Sequence, residues 1–362
     1  MSLYTVYTNL EKPTLDISAF EKALKYHHDR DNMVKGIVII NPHNPLGVVF
    51  DQDQVIRLCN WAASQNLYVI IDEIFANSVF DPKANFKSFL CYYKKLARPD
   101  HVAYMWGFSK DYGVPGFKFA VIHSTSPTLR AVLGKLEYYS PVSCLVQDFA
   151  VKFLADNEWL QNYHKTLKHR LAVHYNFTVK HFKEMRIPYV PAQGGFCVFA
   201  DFSEMLKSKT SKAELELWRK VATGGVMLTP GDHQKCLKPG WFRLVFACTK
   251  EELQEGIRRL YKLTRNIDNP NIEPIREVKI LNGSIDEDWD IGDDLLPKYE
   301  HAKKIIKRKV DDIKIVAEEC YDMLKEGVVE VEHNIAGHLQ NVKDVVKEKA
   351  EEMLHGQSKR SN

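Results

Sequence analysis

The sequence predicts an α/β protein, with a mixed, mostly parallel sheet and crossover helices, then a smaller α+β unit and an amphipathic helical tail. Three observations carry this. Residues 1–125 alternate between short β-branched runs and helical patterns, which is how a sheet with crossover helices reads. Strand patterns return after a helical stretch over 127–186, and beyond 297 apolar residues recur at a helical period. With 45% apolar residues in a chain of 362, there is enough material for one large core or two.

The elements follow in order. A helix is expected near Ser18, whose hydroxyl can cap it while Glu21 closes a capping box, with Phe20 and Leu24 at helical spacing. Gly36 to Ile40 reads as a buried strand. Asp51 is the expected N-cap of a helix in which Val55, Leu58, Cys59 and Ala62 form one apolar stripe. Strands are expected at Leu67 to Ile71, ending at Asp72, at Val102 to Trp106, and at Phe117 to His123. The second unit has strands near Phe196 to Asp201, Val226 to Leu228 and Trp241 to Phe246, with helices near 211–222 and 250–264.

Residues 265–297 are rich in Asn, Asp, Gly and Pro and read as a mobile linker. Beyond it, Ile313, Leu324, Ile335 and Val346 recur every 11 residues, and Cys320, Val331, Val342 and Met353 repeat the step. That period keeps an apolar stripe nearly straight along a helix. The polar face of the tail mixes Lys with Glu and Asp, which favours a solvated helix packing on itself or on a partner helix over lipid binding. The division expected is therefore 1–145, 146–264, 265–297 and 298–362.

A formal charge of +3, from 50 basic and 47 acidic side chains, gives no long-range field to recruit nucleic acid or an anionic membrane. Seven cysteines lie singly, without zinc or disulfide spacing, and favour reduced thiols and no metal. No basic leader or stretch of about 20 apolar residues is present, so the reading is cytoplasmic. The sequons at Asn176 and Asn282 then carry no glycan.

Four segments carry chemistry, three of them at ends of expected strands, where open α/β sheets place ligands. In Asn41-Pro42-His43-Asn44-Pro45-Leu46-Gly47 two prolines stiffen a loop from which Asn44 can donate to an anionic oxygen. Asp72 is a carboxylate at the end of an apolar run, although a strand-end Asp is more often a cap. Lys110 follows a buried strand on a glycine-rich turn that could desolvate its amine, as a nucleophilic lysine requires. Arg243 lies inside a strand of Trp, Phe, Leu and Val, and its planar fork suits a carboxylate.

Taken in order, NPHNPLG, DEIF, SKDYGVPGFKFA, GGFCVFADF, LTPG and KPGWFRLVFA resemble the class I/II aminotransferases. The likeness is closest to the branch containing 1-aminocyclopropane-1-carboxylate synthase and its animal homologues, and covers roughly residues 1–264. The resemblance implies the fold type I architecture of pyridoxal 5'-phosphate (PLP) enzymes, with a partial cofactor-binding large domain over 1–145, interdomain helices and a small domain over 146–264, and a homodimer. It implies that Lys110 is the Schiff-base lysine and the base at the substrate α-carbon. Asp72 would pair with the pyridine nitrogen, Asn44 with the ring 3-oxygen, and Arg243 with the α-carboxylate of an amino acid substrate. Ser109 and Lys118 would face the phosphate.

Three positions depart from the family pattern. Phe75 stands where a tyrosine hydroxyl is usual near the 3-oxygen, Lys118 replaces an arginine, and Gly107 replaces a common serine of the phosphate cup. The branch also has a long segment ahead of the part that corresponds to Leu3, so the chain is expected to be amino-terminally truncated relative to it. Three readings stay open: a PLP-dependent aminotransferase or lyase, an impaired pseudoenzyme serving as scaffold or dimerisation partner, and a membrane or lipid-droplet protein driven by the tail.

Overall fold

The structure, a computed structural model, describes residues 3–265; the expected linker and tail helix lie outside the described residues. The first sheet has the order β1 (Gly36–Ile40), β2 (Tyr68–Asp72), β3 (Val102–Gly107), β4 (Ala120–His123), the first three parallel and β4 antiparallel to β3. The second sheet runs β5 (Tyr189–Val190), β6 (Cys197–Asp201), β8 (Trp241–Val245), β7 (Thr229–Pro230), all neighbours antiparallel.

Helix α1 (Ile17–His28) precedes β1, and α2 (Gln52–Ser64) crosses from β1 to β2. Asp51 caps α2, accepting from the Gln54 N–H at 2.8 Å. Val55, Leu58, Cys59 and Ala62 are all buried, packed with Ile39, Val69, Ile71 and Val102, as the stripe predicts. Fully burying one such aliphatic side chain contributes about 1.5–3 kcal/mol, so this helix face is held by packing more than by propensity.

A helical connection follows β4: α4 (Pro127–Glu137), α5 (Cys144–Ala155) and α6 (Asn157–Glu184), with α3 (Phe108–Asp111) a single turn before β4. With α7 (Ser211–Thr223) and α8 (Lys250–Arg265), α6 covers one face of the second sheet, where Val198, Ala200, Phe242 and Leu244 point into a second core. The alternate residues Phe199 and Trp241 join the first core instead, the two-sided burial that period-two alternation gives a covered sheet.

Several boundaries differ from the sequence expectation. Asp16, not Ser18, caps α1: its carboxylate accepts from the Ser18 N–H at 3.0 Å and from the Ser18 hydroxyl at 2.9 Å, since Asp is as good a cap as Ser and stands earlier. The β2 strand starts at Tyr68 because the Leu67 N–H closes the end of α2, bonding to Ala62 O at 2.8 Å. Val226 to Leu228 is not a strand. The Val226 N–H bonds back to Val221 O at 3.1 Å after the left-handed Gly225, so pairing begins only at Thr229. Pro115–Phe117 forms a 3-10 turn closed by the left-handed Lys118, which shortens β4 to Ala120–His123.

Candidate active site

The carboxyl ends of the three parallel strands lie side by side. Ile40 is in register with Asp72, and Asp72 with Met105. The Asn41 N–H donates to Asp72 O and the Glu73 N–H to Met105 O, both at 2.9 Å. Asp72 at the end of β2 and the segments carrying Asn44 and Lys110 therefore leave adjacent strands at one edge, where a parallel sheet binds its ligand.

The first loop is pinned by Asn41. This buried side chain bonds both ways with the Phe50 main chain: Nδ2 donates to Phe50 O at 3.0 Å, and Oδ1 accepts from the Phe50 N–H at 2.9 Å. Gly47 has φ +69°, and a Cβ there would come within 2.4 Å of the Ala192 Cβ, so the loop can close against the second sheet only with glycine. That closure presents Asn44 to Arg243. Arg243 Nη1 donates to Asn44 Oδ1 at 3.0 Å, and Nη2 to Thr229 Oγ1 at 3.2 Å. Arg243 Nε is buried and has no partner. The anionic partner expected for this arginine is not supplied by the described residues; two neutral oxygens hold it, and its buried Nε has no acceptor among them.

Asp72 is half-buried. Oδ1 accepts from the Ile74 N–H at 3.0 Å, and Oδ2 has no hydrogen-bond partner among the described residues. Burial raises its carboxyl above the ordinary range, with the Ile74 hydrogen bond pulling the other way. The neighbouring Glu73 is fully buried; Oε1 accepts from the Phe89 N–H at 2.7 Å, while Oε2 finds no partner. Burial pushes it up to about 7, with the negative charges of Asp111 and Asp72 adding to the effect.

Lys110 sits in the single turn α3 rather than on a loose glycine-rich turn, and its side chain is exposed. The expected desolvation is thus not provided by the described residues, and no hydrogen bond or ion pair among them reaches its amine. Its charge and that of Arg243 both act on Cys197, a buried thiol 3.6 Å from Pro45 O that burial raises to about 11 against those two cations. Cys197 thus lies against the Asn44 loop, within the electrostatic influence of both cations.

The other expected residues are distributed around this point. Phe75 is buried and packs edge-on to Phe196 at 5.4 Å between ring centres. Gly107 lets β3 and β4 approach closely, since a Cβ there would meet Phe119 O at 2.8 Å. Ser109 is half-buried, and Lys118 is exposed at φ +50°. No described residue makes a polar contact to either side chain. Sequence reasoning missed Thr229 and Cys197 as site residues, although both lie in quoted segments, LTPG and GGFCVFADF; a threonine in register with Arg243 across β7 and β8 was the available signal.

Residues 2–260 match the family aminotransferase class I and II. The chain belongs to this family. A mouse relative, named probable inactive 1-aminocyclopropane-1-carboxylate synthase-like protein 2, is 32% identical over 253 residues, which is 70% of this chain and 43% of the relative. The bovine 1-aminocyclopropane-1-carboxylate synthase-like protein 1 is 30% identical, covering 68% and 49%. A probable aminotransferase of Arabidopsis thaliana is 32% identical, covering 70% and 52%. The chain spans about half the length of these relatives. Among solved structures, the aromatic aminotransferase of Pyrococcus horikoshii superposes with a TM-score of 0.60 at 21% identity, covering 71% of this chain and 66% of that one.

The fold of this aminotransferase-family chain is that of the fold type I PLP enzymes, and PLP is the family's cofactor. The donor set fits such a group. A free carboxylate oxygen on Asp72, the unfilled amide donor of Asn44, the open Nε of Arg243 and an unpaired amine on Lys110 are each short of one partner, and each suits a different part of a pyridine aldehyde or an amino acid. Among the described residues no cluster could hold a metal ion, and no helix is long and apolar enough to cross a membrane.

Proposed function

We propose that this chain binds PLP and uses it in aminotransferase- or lyase-type chemistry on an amino acid. The observation that carries the reading is that Asn44, Asp72 and Lys110 lie at or just after the ends of three adjacent strands, with Arg243 bonded to Asn44, and that each keeps a polar atom unpaired among the described residues. In this reading the Asp72 carboxylate would keep the ring nitrogen protonated, the Asn44 amide would donate to the ring 3-oxygen, and the Arg243 guanidinium would take the substrate carboxylate. Ser109 and Lys118 would face the phosphate, Gly107 would lie beside it without a serine hydroxyl, and Phe75 would line the site without a hydroxyl. The cofactor, when bound, supplies the electron sink for the carbanion at the substrate α-carbon. The Lys110 amine then takes and returns the α-proton as general base and acid. The cytoplasm and a homodimer belong to the same reading.

A second reading has specific support: an impaired homologue acting as scaffold or dimerisation partner. Phe75 offers no hydroxyl, Lys118 is a point charge where a bidentate grip is usual, Lys110 is exposed, and the mouse relative's name calls it probably inactive.

One experiment separates them. The full chain is incubated with PLP and treated with borohydride. Condensation of the Lys110 amine with the aldehyde releases one water, and hydride from borohydride fixes the product as a secondary amine on that lysine. Peptide mass mapping is expected to place the added pyridoxyl group on Lys110 in the wild type and nowhere in Lys110→Ala. A protein that dimerises yet carries no label at Lys110 would overturn the enzyme reading in favour of the second.

A further inference from the structure

The lysine at the centre of the proposed site has no contact of its own to hold it, but its sequence neighbour has more than any other carboxylate near the strand ends. Asp111 is fully buried. Its Oδ1 accepts from the Ser78 hydroxyl at 2.7 Å, and its Oδ2 accepts both the Asn77 N–H and the Trp106 Nε1–H at 2.9 Å. Its main-chain oxygen accepts from the Tyr163 hydroxyl at 3.0 Å. One residue therefore ties together the loop that follows Asp72, the end of β3 and helix α6. The network reaches the second sheet as well, because the Gly195 N–H donates to Ser78 O at 3.1 Å, next to Phe196 and Cys197.

Three donors from two segments converge on one side chain, which only a group with two acceptor oxygens can satisfy. No basic side chain among the described residues pairs with it. An unpaired buried carboxylate is costly, and burial raises its ionisation above the ordinary carboxylate range. The hydrogen bonds offset part of that cost, and what they hold in place is informative. They hold the turn bearing Lys110 against the loop bearing Asp72, the two groups that must address opposite ends of one ring.

We infer that Asp111 is the positioning residue that sets the separation of Lys110 from Asp72, acting through the Asn77, Ser78 and Trp106 donors. The inference rests on the reading of Lys110 given above. Its charge is not what matters for position. In Asp111→Asn the amide oxygen can take the Asn77 and Trp106 donors, while the amide nitrogen donates to the Ser78 hydroxyl, so the latch survives. In Asp111→Ala all three donors lose their acceptor, the Ser78 hydroxyl among them in a buried position.

The test measures pyridoxyl label on Lys110 after PLP and borohydride, as a function of PLP concentration, in full-length wild type, Asp111→Asn, Asp111→Ala and Glu214→Gln. Glu214 is a buried carboxylate in α7 that accepts the Asp232 and Gly240 N–H groups at 3.0 and 2.6 Å, so its glutamine variant controls for lost stability away from the site. Misplacing a reacting group by about 1 Å costs on the order of 100-fold. Asp111→Ala is therefore expected to label at least about tenfold less efficiently, with Asp111→Asn and Glu214→Gln close to wild type. Should Asp111→Ala fail to fold, Ser78→Ala removes a single donor and carries the same comparison. Wild-type labelling with Asp111→Ala unaffected, or with Asp111→Asn as poor as Asp111→Ala, overturns the inference alone. No label on the wild type removes the reading of Lys110 and this inference with it.

Discussion

Two kinds of polar residue meet around the ends of the parallel strands, where Arg243 of β8 reaches Asn44. Asn41 and Asp111 are buried, and their side-chain acceptors are filled by protein donors. Asn44, Asp72, Lys110 and Arg243 are half-buried or exposed, and each retains an unpartnered polar atom. The saturated residues are scaffold; the open ones are the reactive surface the scaffold presents. The difference teaches where stability and chemistry should separate under mutation, because buried saturation contributes to folding while open valences contribute only when something fills them. Glu73 lies between the two groups, buried but with only one oxygen bonded.

The largest effect expected on the scaffold side is at Asn41. Asn41→Ala leaves the buried Phe50 N–H and C=O both unpaired, and urea denaturation should register a loss of about 2–5 kcal/mol. Lys110→Ala removes an exposed side chain without polar contacts and should stay within about 0.5 kcal/mol of wild type while losing all label at that position. Equal destabilisation by the two substitutions would erase the distinction between scaffold and reactive surface.

The same distinction decides what could be seen without coordinates. The apolar stripe of α2, its Asp51 cap and the order of β1, β2 and β3 were legible because local periodicity and capping chemistry act over a few residues. Asn44, Asp72, Lys110 and Arg243 could be named because each is an odd residue in its local pattern: a donor between prolines, or a charge after or within an apolar strand. Asp111 could not be singled out, since its partners Ser78 and Asn77 are more than thirty positions away in sequence and nothing near it signals burial. Strand β4 shows the opposite failure. Val121 and Ile122 are apolar strand residues yet are 40% and 47% exposed, because apolar type reports a tendency to be covered and not the cover itself.

Glu73 tests the intermediate case through pH. Its carboxyl ionises near 4.5 when unfolded and near 7 when folded, so the folded state holds the proton more tightly. The stability it contributes is complete below about pH 4.5 and is lost as pH rises towards about 7, to the extent of about 3 kcal/mol at most. His43 acts in the opposite sense: burial lowers it from 6.5 to about 4, so stability is lost as pH falls through that range. The two slopes oppose each other in the wild type. Glu73→Gln removes only the first, and denaturation midpoints between pH 4.5 and 7 should then rise more steeply with pH than in the wild type. Parallel profiles for the two proteins would mean that Glu73 is not held protonated.

The smallest effect expected, and the sharpest on the ligand side, is at Phe75. This ring is buried against Phe196 and contributes only packing. Phe75→Tyr places a hydroxyl beside the position proposed for the ring 3-oxygen. Without ligand, a buried hydroxyl lacking a partner costs about 1–3 kcal/mol, so the unliganded variant should be slightly less stable than wild type. With PLP the new hydrogen bond is worth about 1 kcal/mol, and PLP titration followed by Lys110 labelling should give half-saturation at several-fold lower concentration. Lower stability without tighter binding would place the 3-oxygen elsewhere, and the open donor of Asn44 would then need a different acceptor.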